Sequence, residues 1–385
     1  MSLRIAHIIT GLERGGAGMM LLKLLNACDR SKLSPAVITL MDKGTLGKQI
    51  ENLGIEVEEV RMSRGRLTPA SFVRLHRLYG KLSPDLIQGW MYHGNAAALI
   101  GRYALRPRVP IVWNIRHTLY DLKKEKPLTR WLIRFGSRTS GYPERIIYNS
   151  RIGAEQHEAI GYQPERRVVI PNGFDASMFK PVGEASQCLR SRLGLPPDTL
   201  VIGMVARYHP MKDHTNLIRA AVSLTNQLPD VHFLLIGREV DPNNATIKRQ
   251  IEQVRMTDRF HLLGERTDMP ELTAGLDVAT LTSAWGEGFP NVIGEAMACG
   301  VPCVVTDVGD AGDIVGETGV VVPPNDPDAL AAGWKRILTM DLPERVSLGR
   351  MARKRIEDHY SLDRISERYE NLYLELIGRW GPRIH

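Results

Sequence analysis

Short apolar runs alternate with amphipathic stretches along most of this 385-residue chain. The runs predict buried strands, and the stretches between them have the spacing of helices. A second series of the same kind begins at residue 200. This alternation indicates doubly wound parallel sheets of the α/β class. The predicted strands lie at residues 4–9, 36–40, 55–60, 85–90, 111–115, 145–148 and 168–170, from 200 onward, and at 233–236, 260–263, 277–282 and 302–305.

The length of the chain suits two domains of roughly 150 to 200 residues each. A change to proline- and glycine-rich sequence after residues 172–175 marks the predicted linker. We therefore predict an N-terminal domain at residues 1–173 and a C-terminal domain at residues 174–360. The tail, residues 361–385, contains a long predicted helix. One face of that helix carries Tyr369, Leu372, Tyr373 and Leu376.

The formal charge of +7 is unevenly distributed. Residues 1–173 carry an excess of 13 basic over acidic residues, whereas the remainder carries an excess of 6 acidic residues. An acidic partner is therefore expected at the first half of the chain. Because the basic residues form no helix-turn-helix, zinc-finger or RNP-type pattern, we expect no nucleic acid partner. An anionic membrane face or a phosphate-bearing acceptor fits this charge better.

Residues 123–138 place part of that charge on one predicted helix with an apolar and a cationic face. Two interpretations stay open: the helix rests on an anionic membrane surface, or it covers the sheet. The stretch MSLRIAHIITG has no apolar segment of the length typical of a signal peptide, and no apolar run of about 18 residues occurs. We therefore expect a cytoplasmic protein, with the inner face of the cell membrane as its contact surface. The apolar face comprises Leu128, Trp131, Leu132 and Phe135, and the cationic face comprises Arg130, Arg134 and Arg138.

Cysteine and acidic residues predict neither a disulfide framework nor a metal site. Cys299 and Cys303 have the spacing of a helix end followed by a strand, so we interpret them as small core residues. The acidic pair Asp326 and Asp328 lies in a proline-rich turn before a helix, which indicates turn and cap chemistry. We expect no metal and no cofactor.

A glycine-rich loop follows the first predicted strand. Gly15 and Gly16 would let a ligand approach the backbone at the carboxyl end of that strand. The loop does not match the dinucleotide fingerprint G-x-G-x-x-G, which disfavours a dehydrogenase. A purely structural tight turn stays the alternative.

Two glutamates lie eight residues apart in the stretch 283–305, which reads SAWGEGFPNVIGEAMACGVPCVV. Glu287 precedes a predicted helix that starts near Pro290, and Glu295 lies inside it, so the two cannot form a close acid/base pair on one helical face. The backbone amides of residues 288–291 and the helix dipole favour an anionic or hydroxyl-rich ligand. We expect the glutamates to contact separate parts of one ligand.

Cations and histidines also follow predicted strands. Arg207 comes just after the strand at residue 200, and Lys212 lies five residues later at the start of a helix, a spacing that suits a diphosphate clamp. His93 and His117 follow two strands of the first half. Each is either a ligand contact or a structural histidine.

The segment Glu287-GFPNVIG-Glu295 and the EAMACGVPCVV sequence around it resemble the family 4 glycosyltransferases, the large retaining group with the GT-B fold. The resemblance extends over nearly the whole chain, including PNGFD at the predicted linker. It implies two Rossmann-like domains that face each other across a cleft, with the final helix crossing back to the N-terminal, acceptor-side domain. The C-terminal domain is then the nucleotide-sugar-binding domain.

The resemblance also implies roles for individual residues. Gly15 and Gly16 face the donor's phosphate and sugar, and His117 lies near the donor sugar. Arg207 and Lys212 contact the donor's phosphates without a metal. Glu287 binds sugar hydroxyls, Glu295 binds the ribose, and the nucleotide base lies near residues 264–266. The implied catalytic residues are His117, Arg207, Lys212 and Glu287; the implied donor-binding residues are Gly15, Gly16, Arg207, Lys212, Arg266, Gly288, Phe289, Pro290, Asn291 and Glu295.

The expected function is retaining transfer of a sugar from a nucleotide-sugar, which we expect to be UDP-linked, to an acceptor hydroxyl. The expected acceptor is a glycan or a lipid-linked saccharide of cell-envelope polysaccharide synthesis. Two alternatives stay open. One is another GT-B enzyme, either a nucleotide-sugar epimerase or a phosphorylase, and the other is a catalytically silent nucleotide-sugar-binding protein.

Overall fold

The computed structural model describes residues 2–13, 15–62, 68–105 and 107–380. The chain divides into two compact units. The N-terminal unit contains the residues up to 173 and those from 362 onward, and the C-terminal unit contains residues 174–361. Each unit is built around one parallel sheet.

The sheet of the N-terminal unit has seven strands in the order β3-β2-β1-β4-β5-β6-β7, and every neighbouring pair is parallel. The sheet of the C-terminal unit has six strands in the order β10-β9-β8-β11-β12-β13, again all parallel. The strands are β1 Leu3–Ile9, β2 Leu33–Thr39, β3 Glu56–Glu59, β4 Leu86–Trp90, β5 Ile111–Ile115, β6 Arg145–Tyr148, β7 Arg167–Val169, β8 Leu200–Val205, β9 Val231–Ile236, β10 Phe260–Leu262, β11 Val278–Leu281, β12 Cys303–Thr306 and β13 Val320–Val322.

Helices connect the strands and cover both faces of each sheet. Helices on both faces explain why the central strands are continuous apolar runs, since a strand buried on both faces needs no polar alternation. The helices are α1 Gly16–Ala27, α2 Gly44–Asn52, α3 Pro69–Leu82, α4 Met91–Ala104, α5 Pro127–Thr139, α6 Arg151–Glu158, α7 Ala185–Leu193, α8 His214–Thr225, α9 Ala245–Gln253, α10 Met269–Ala274, α11 Asn291–Ala298, α12 Ala311–Val315, α13 Pro327–Leu338, α14 Leu342–His359 and α15 Leu362–Trp380.

The C-terminal helix α15 belongs to the core of the N-terminal unit. The predicted apolar face is confirmed, because Tyr369, Tyr373 and Leu376 are all buried against the first sheet. The hydroxyl of Tyr369 accepts a hydrogen bond from Asn114 Nδ2 at 2.8 Å, near the carboxyl end of β5. In the C-terminal unit Cys299 and Cys303 are buried core residues, as predicted.

The strand predictions are confirmed apart from two details. Strand β2 starts at Leu33, three residues earlier than predicted, and so contains Pro35. The strand tolerates this proline because its pairing with β3 begins only at Ala36. The sequence prediction also missed β13, a three-residue strand too short to show a period.

Helix α5 corrects the predicted apolar face of residues 123–138. The residues that pack inward are Leu132, Ile133 and Gly136. Leu128 and Trp131 are 43% and 58% exposed and do not cover the sheet. The helix therefore combines a narrow buried stripe with an exposed apolar and cationic surface.

Candidate donor site and the family of the chain

A buried ion pair lies just beyond the carboxyl end of β11 in the C-terminal unit. The ammonium of Lys212 donates to Oε1 of Glu287 at 2.5 Å. The two side chains are only 14% and 8% exposed. The hydroxyl of Ser283 donates to the same carboxylate oxygen. In the described part of the chain the other oxygen, Oε2, and the remaining protons of the ammonium have no hydrogen-bond partner.

The backbone around Lys212 is held in place by the end of β11. Lys212 ends the short 3-10 helix Pro210–Lys212, and the hydroxyl of Thr282 donates to its carbonyl at 2.7 Å. The next residue, Asp213, has a φ of 47° and caps α8 by accepting from the amide of Asn216 at 3.0 Å. A left-handed conformation at a non-glycine residue is uncommon, and here two neighbouring contacts hold it. These hydrogen bonds fix the backbone of the turn that places Lys212 beside Glu287.

Close packing of two loops fixes Glu287. The carbonyl of Ser283 accepts a hydrogen bond from the hydroxyl of Thr306, at the end of β12, at 2.7 Å. Gly309 has a φ of 65°, and a side chain on it would meet the Glu287 carbonyl oxygen at 2.4 Å. The amide of Asp310 donates to the Gly288 carbonyl at 2.8 Å. The carboxyl ends of β11 and β12 therefore determine the position of the carboxylate together.

Helix α11 begins immediately after this loop, close to the predicted start. Its N-cap is Pro290, which makes no side-chain cap hydrogen bond, and Asn291 is its first residue. Glu295 lies one turn inside the helix and is partly exposed. Phe289 is buried and packs between Phe174 and Tyr360, with ring centroids 5.9 and 5.7 Å away. Of the predicted GFPN ligand contacts, Phe289 can therefore offer only its backbone to a ligand.

Arg207 lies at the carboxyl end of β8, two residues beyond the strand, and is exposed. Burial, together with the positive charges of Arg207 and Lys212, lowers the pKa of the intervening His209. Both positive charges therefore act on His209. Burial and the positive charge of Lys212 together lower the pKa of His214, the first residue of α8, to about 4.

Arg266 has a partner within the protein. Its guanidinium makes two hydrogen bonds of 2.9 Å to the carboxylate of Asp268, which also pairs with Arg192 at 2.6 Å. These bonds hold the pKa of Asp268 well below its usual range. The neighbouring Gly264 has a φ of 66°, and its carbonyl accepts from the amide of Gly237 at 2.8 Å. The loop beside Arg266 is therefore joined to the carboxyl ends of β9 and β10.

In the N-terminal unit, Gly15 caps α1 and Gly16 is its first residue. A side chain on Gly16 would meet no described atom within 4 Å, and one on Gly15 would approach only the Glu13 carbonyl, at 3.9 Å. Local packing therefore does not explain either glycine.

His117 lies two residues beyond β5 and belongs to a chain of polar side chains. Its Nδ1 is 3.1 Å from the hydroxyl of Tyr92, and its Nε2 is 3.5 Å from Oε1 of Glu125. The Tyr92 hydroxyl is also 2.9 Å from Nε2 of His157. Burial lowers the pKa of His117, and the carboxylate of Glu125 opposes this in part. His93 is half-buried on α4, and burial lowers its pKa as well.

No three His, Cys, Asp or Glu side chains gather in a metal-binding arrangement among the residues with described positions. No helix in those same residues is both long enough and apolar enough to span a bilayer.

Comparison with known families then decides the class of the protein. Residues 14–178 match the profile described as Glycosyltransferase Family 4, and residues 187–355 match the profile described as Glycosyl transferases group 1. The chain belongs to the family 4, group 1 glycosyltransferases. It is thus an enzyme of the glycosyltransferase class.

Two sequence relatives support this assignment to the glycosyltransferases. The EpsF protein of Bacillus subtilis (strain 168) is 28% identical over 317 residues, which are 79% of this chain and 79% of EpsF. The UDP-Gal:alpha-D-GlcNAc-diphosphoundecaprenol alpha-1,3-galactosyltransferase of Escherichia coli is 26% identical over 316 residues, which are 80% of this chain and 79% of that enzyme.

A solved structure identifies the fold of this glycosyltransferase. The Anabaena protein Alr3699/HepE in complex with UDP superposes with a TM-score of 0.81 at 24% sequence identity, covering 97% of this chain and 100% of HepE. Together with the two parallel sheets, this similarity shows the GT-B fold that the sequence resemblance implied.

The structure of this glycosyltransferase also reveals polar residues that sequence analysis missed. Thr282 donates to the Lys212 carbonyl and Ser283 donates to the Glu287 carboxylate. Thr282 ends the predicted strand 277–282, and Ser283 begins the stretch 283–305. Tyr92 and His157 contact the His117 region from α4 and α6. No spacing rule could have found this second pair, because 65 residues separate its members.

Proposed function

We propose that this glycosyltransferase transfers a sugar, with retention, from a UDP-linked donor to the hydroxyl of a lipid-linked saccharide. The observation that best supports the donor site is the incompletely bonded Lys212 and Glu287 pair at the carboxyl end of β11. In open α/β sheets, ligands bind at the carboxyl ends of the strands. A cation and a carboxylate with unused hydrogen-bonding capacity suit a charged, hydroxylated ligand.

In this proposal Lys212 and Arg207 hold the diphosphate of the donor. Their charges stabilise the negative charge that grows on the leaving phosphate, so no metal is required. Glu287 accepts hydrogen bonds from sugar hydroxyls through Oε2, and Glu295 binds the ribose. The amides near Gly288 and Asn291 add the positive end of the α11 dipole. Arg266 and the loop beside it lie near the base, where Arg266 is already oriented by Asp268.

The N-terminal unit supplies the acceptor side in this proposal. Gly15 and Gly16 face the donor's phosphate and sugar, which agrees with the open space beside Gly16. His117 holds a hydroxyl of the donor sugar and supports positive charge at the reacting carbon.

The proposed reaction takes place on one face of the sugar. The bond between the anomeric carbon and the donor phosphate oxygen breaks, and the acceptor oxygen bonds to the same face. The acceptor proton passes to the leaving phosphate. A glycosyl adduct trapped on Glu287 would contradict this route, because it would make Glu287 a nucleophile.

Known relatives guide the choice of donor and acceptor. HepE has been solved with UDP and with UDP-glucose, and the Escherichia coli relative is named for transfer from UDP-Gal to a diphosphoundecaprenol-linked sugar. The excess of basic residues at positions 1–173 favours an acceptor that carries phosphate.

A donor-binding screen tests the proposal. UDP-, GDP-, ADP- and TDP-sugars are compared by thermal shift with the intact protein, Lys212→Ala and Glu295→Ala. At a donor concentration about 100 times Kd, the ligand adds roughly 2.7 kcal/mol of stability, so one UDP-sugar should raise the midpoint of the intact protein but not of Lys212→Ala or Glu295→Ala. The matched control is Lys354→Ala, which should shift as the intact protein does, because that lysine is 74% exposed and Asp358 is its one ion-pair partner among the residues with described positions.

No shift with any donor would contradict the donor site. Product analysis of the binding sugar, with and without an undecaprenyl-diphosphate-linked acceptor, then separates transfer from epimerisation and phosphorolysis. A new sugar formed without the acceptor would indicate an epimerase.

We also propose that α5 contacts an anionic membrane while the acceptor is bound. The exposed part of α5 combines Leu128 and Trp131 with arginines, which suits a headgroup layer. Trp131→Ala should weaken sedimentation with phosphatidylglycerol vesicles but not with phosphatidylcholine vesicles. Met351→Ala is the control, since Met351 is 51% exposed on the other unit. Equal loss in both variants would contradict a specific surface.

A further inference from the structure

The polar chain behind His117 ends at a group that can only accept a hydrogen bond. Nδ1 of His157 lies 2.6 Å from the carbonyl oxygen of Gly153, one turn earlier in α6. A carbonyl has no proton to donate, so Nδ1 of His157 must carry one. His157 is fully buried, and burial lowers its pKa to about 4, so the ring is neutral near pH 7. Its Nε2 therefore has a free lone pair.

That lone pair determines the direction of the next hydrogen bond. The hydroxyl of Tyr92 has one proton and lies 2.9 Å from Nε2 of His157, so it donates there. Burial raises the pKa of Tyr92, which keeps the phenol protonated. The phenol oxygen is left as an acceptor, 3.1 Å from Nδ1 of His117. Nδ1 of His117 must then be the donor.

We propose that Tyr92 and His157 are positioning residues that hold His117 in its Nδ1-protonated tautomer, so that Nε2 accepts a hydrogen bond from a substrate hydroxyl. The inference rests on the proposed role of His117 at the donor sugar. In neutral histidine exposed to water, the proton prefers Nε2. The buried hydrogen bonds from His157 through Tyr92 to His117 therefore reverse the ordinary preference. One ring nitrogen sets the state of the other.

Other contacts hold the His117 ring beside Tyr92. The amide of Leu119 donates to Oε1 of Gln156 at 2.6 Å, which ties the loop after β5 to α6. The rings of Tyr92 and His117 meet edge to face, with centroids 6.0 Å apart. Glu125 stands 3.5 Å from Nε2 and pairs with it only when that nitrogen is protonated. The neutral ring therefore leaves Nε2 available to a hydroxyl donor.

Nitrogen NMR on the ligand-free, full-length protein tests the tautomer directly. Long-range proton–nitrogen correlations of histidine-labelled protein distinguish the two neutral tautomers and the imidazolium. The His117 signals are assigned as those missing from His117→Gln. We expect Nδ1-protonated His117 at pH 7.5. An Nε2-protonated or a doubly protonated ring in the intact protein overturns the proposal, whether or not any variant folds.

Tyr92→Phe removes only the hydroxyl and should return His117 to the Nε2-protonated tautomer. We expect kcat/KM to fall about 10- to 100-fold, the range found for groups that fix a histidine in metal sites. Tyr148→Phe is the matched control. Its ring also packs on His157, at 5.5 Å, but its buried hydroxyl has no partner in the described residues. That variant should change neither the tautomer nor the activity.

An unchanged His117 tautomer in Tyr92→Phe overturns the proposal. So does an equal activity loss in Tyr148→Phe, because the effect would then come from packing. The NMR experiment needs no substrate, so its result is independent of the proposed transfer reaction. A protein with the expected tautomer but no donor binding would contradict the proposed function and leave the positioning role intact.

Discussion

Strand β11 has a buried ion pair at each end, and the two pairs differ in how completely the protein satisfies them. At the amino end, Asp277 pairs with Arg190, whose guanidinium also donates to three backbone carbonyls at 2.8 to 3.0 Å. At the carboxyl end, Lys212 has Glu287 as its one described partner. Both pairs are largely excluded from water. Burial alone therefore does not distinguish a structural ion pair from a binding site.

Hydrogen-bonding capacity does distinguish them. The carboxylate of Asp277 accepts a hydrogen bond from the amide of Val201 in β8 at 2.7 Å and also pairs with Arg345 in α14 at 3.6 Å. Together with Arg190 in α7, the amino-end pair therefore joins three elements. It has little capacity left for a ligand. The carboxyl-end pair has an unused carboxylate oxygen and unused ammonium protons among the described residues. A buried ion pair thus contributes to stability at the amino end of β11 and, we propose, to substrate binding at its carboxyl end.

The largest effect should follow from Lys212→Met. Loss of a fixed charge at the leaving phosphate should lower kcat/KM by about 10²- to 10³-fold. The variant also leaves Glu287 buried without a counter-charge, which should cost about 3 to 5 kcal/mol of unfolding free energy. Steady-state kinetics and urea denaturation measure the two effects.

The double variant Lys212→Met with Glu287→Gln separates these effects. Removing both charges should restore much of the stability, because no unpaired charge remains. Activity should stay low. If activity recovers together with stability, Lys212 acts only through folding and the proposed site is wrong.

Asp277→Ala should have the opposite profile. It leaves Arg190 buried without its carboxylate, so we expect a loss of about 3 kcal/mol in unfolding free energy. The kcat of the folded fraction should stay within about twofold of the intact protein, since the proposed donor site lies at the opposite, carboxyl ends of the strands. Kinetics well below the denaturation midpoint provide the check. A loss of kcat comparable to that of Lys212→Met would contradict the distinction between the two ends of β11.

A change in stability that is modest at each pH step is expected near the carboxyl end of β11. Burial and the charge of Lys212 lower the pKa of His214 to about 4, from an ordinary value of 6.5. Between these values the unfolded chain binds a proton that the folded chain does not, so stability falls as pH drops from 6.5 toward 4. One such histidine contributes roughly 1.4 kcal/mol per pH unit.

His214→Phe tests this contribution, because His214 is buried against the ring of Tyr208 at 5.4 Å. Urea denaturation at pH 4.5 to 7.5 should give a shallower pH dependence for the variant than for the intact protein. Asp277→Ala should keep the slope that His214 contributes. Parallel curves for the intact protein and His214→Phe would exclude His214 as the source.

Local patterns predicted the elements well but not how side chains share their contacts. Apolar runs and Pro290 located β11, the start of α11 and β12 to within one residue. Helical spacing also predicted an apolar face on α5, yet Trp131 is exposed and Ile133 is buried. The face that a helix buries depends on where the sheet lies, which periodicity does not specify.

The amino-acid sequence by itself determined the α/β alternation, the family and the residue types available at the carboxyl ends of the strands. These properties depend on neighbours along the chain, where apolar periodicity and turn residues act directly. Tertiary structure alone decided that Lys212 meets Glu287 across 75 positions and that Tyr92 meets His157 across 65. A hydrogen bond depends on distance and direction in space, and only the packed sheets bring such distant residues together.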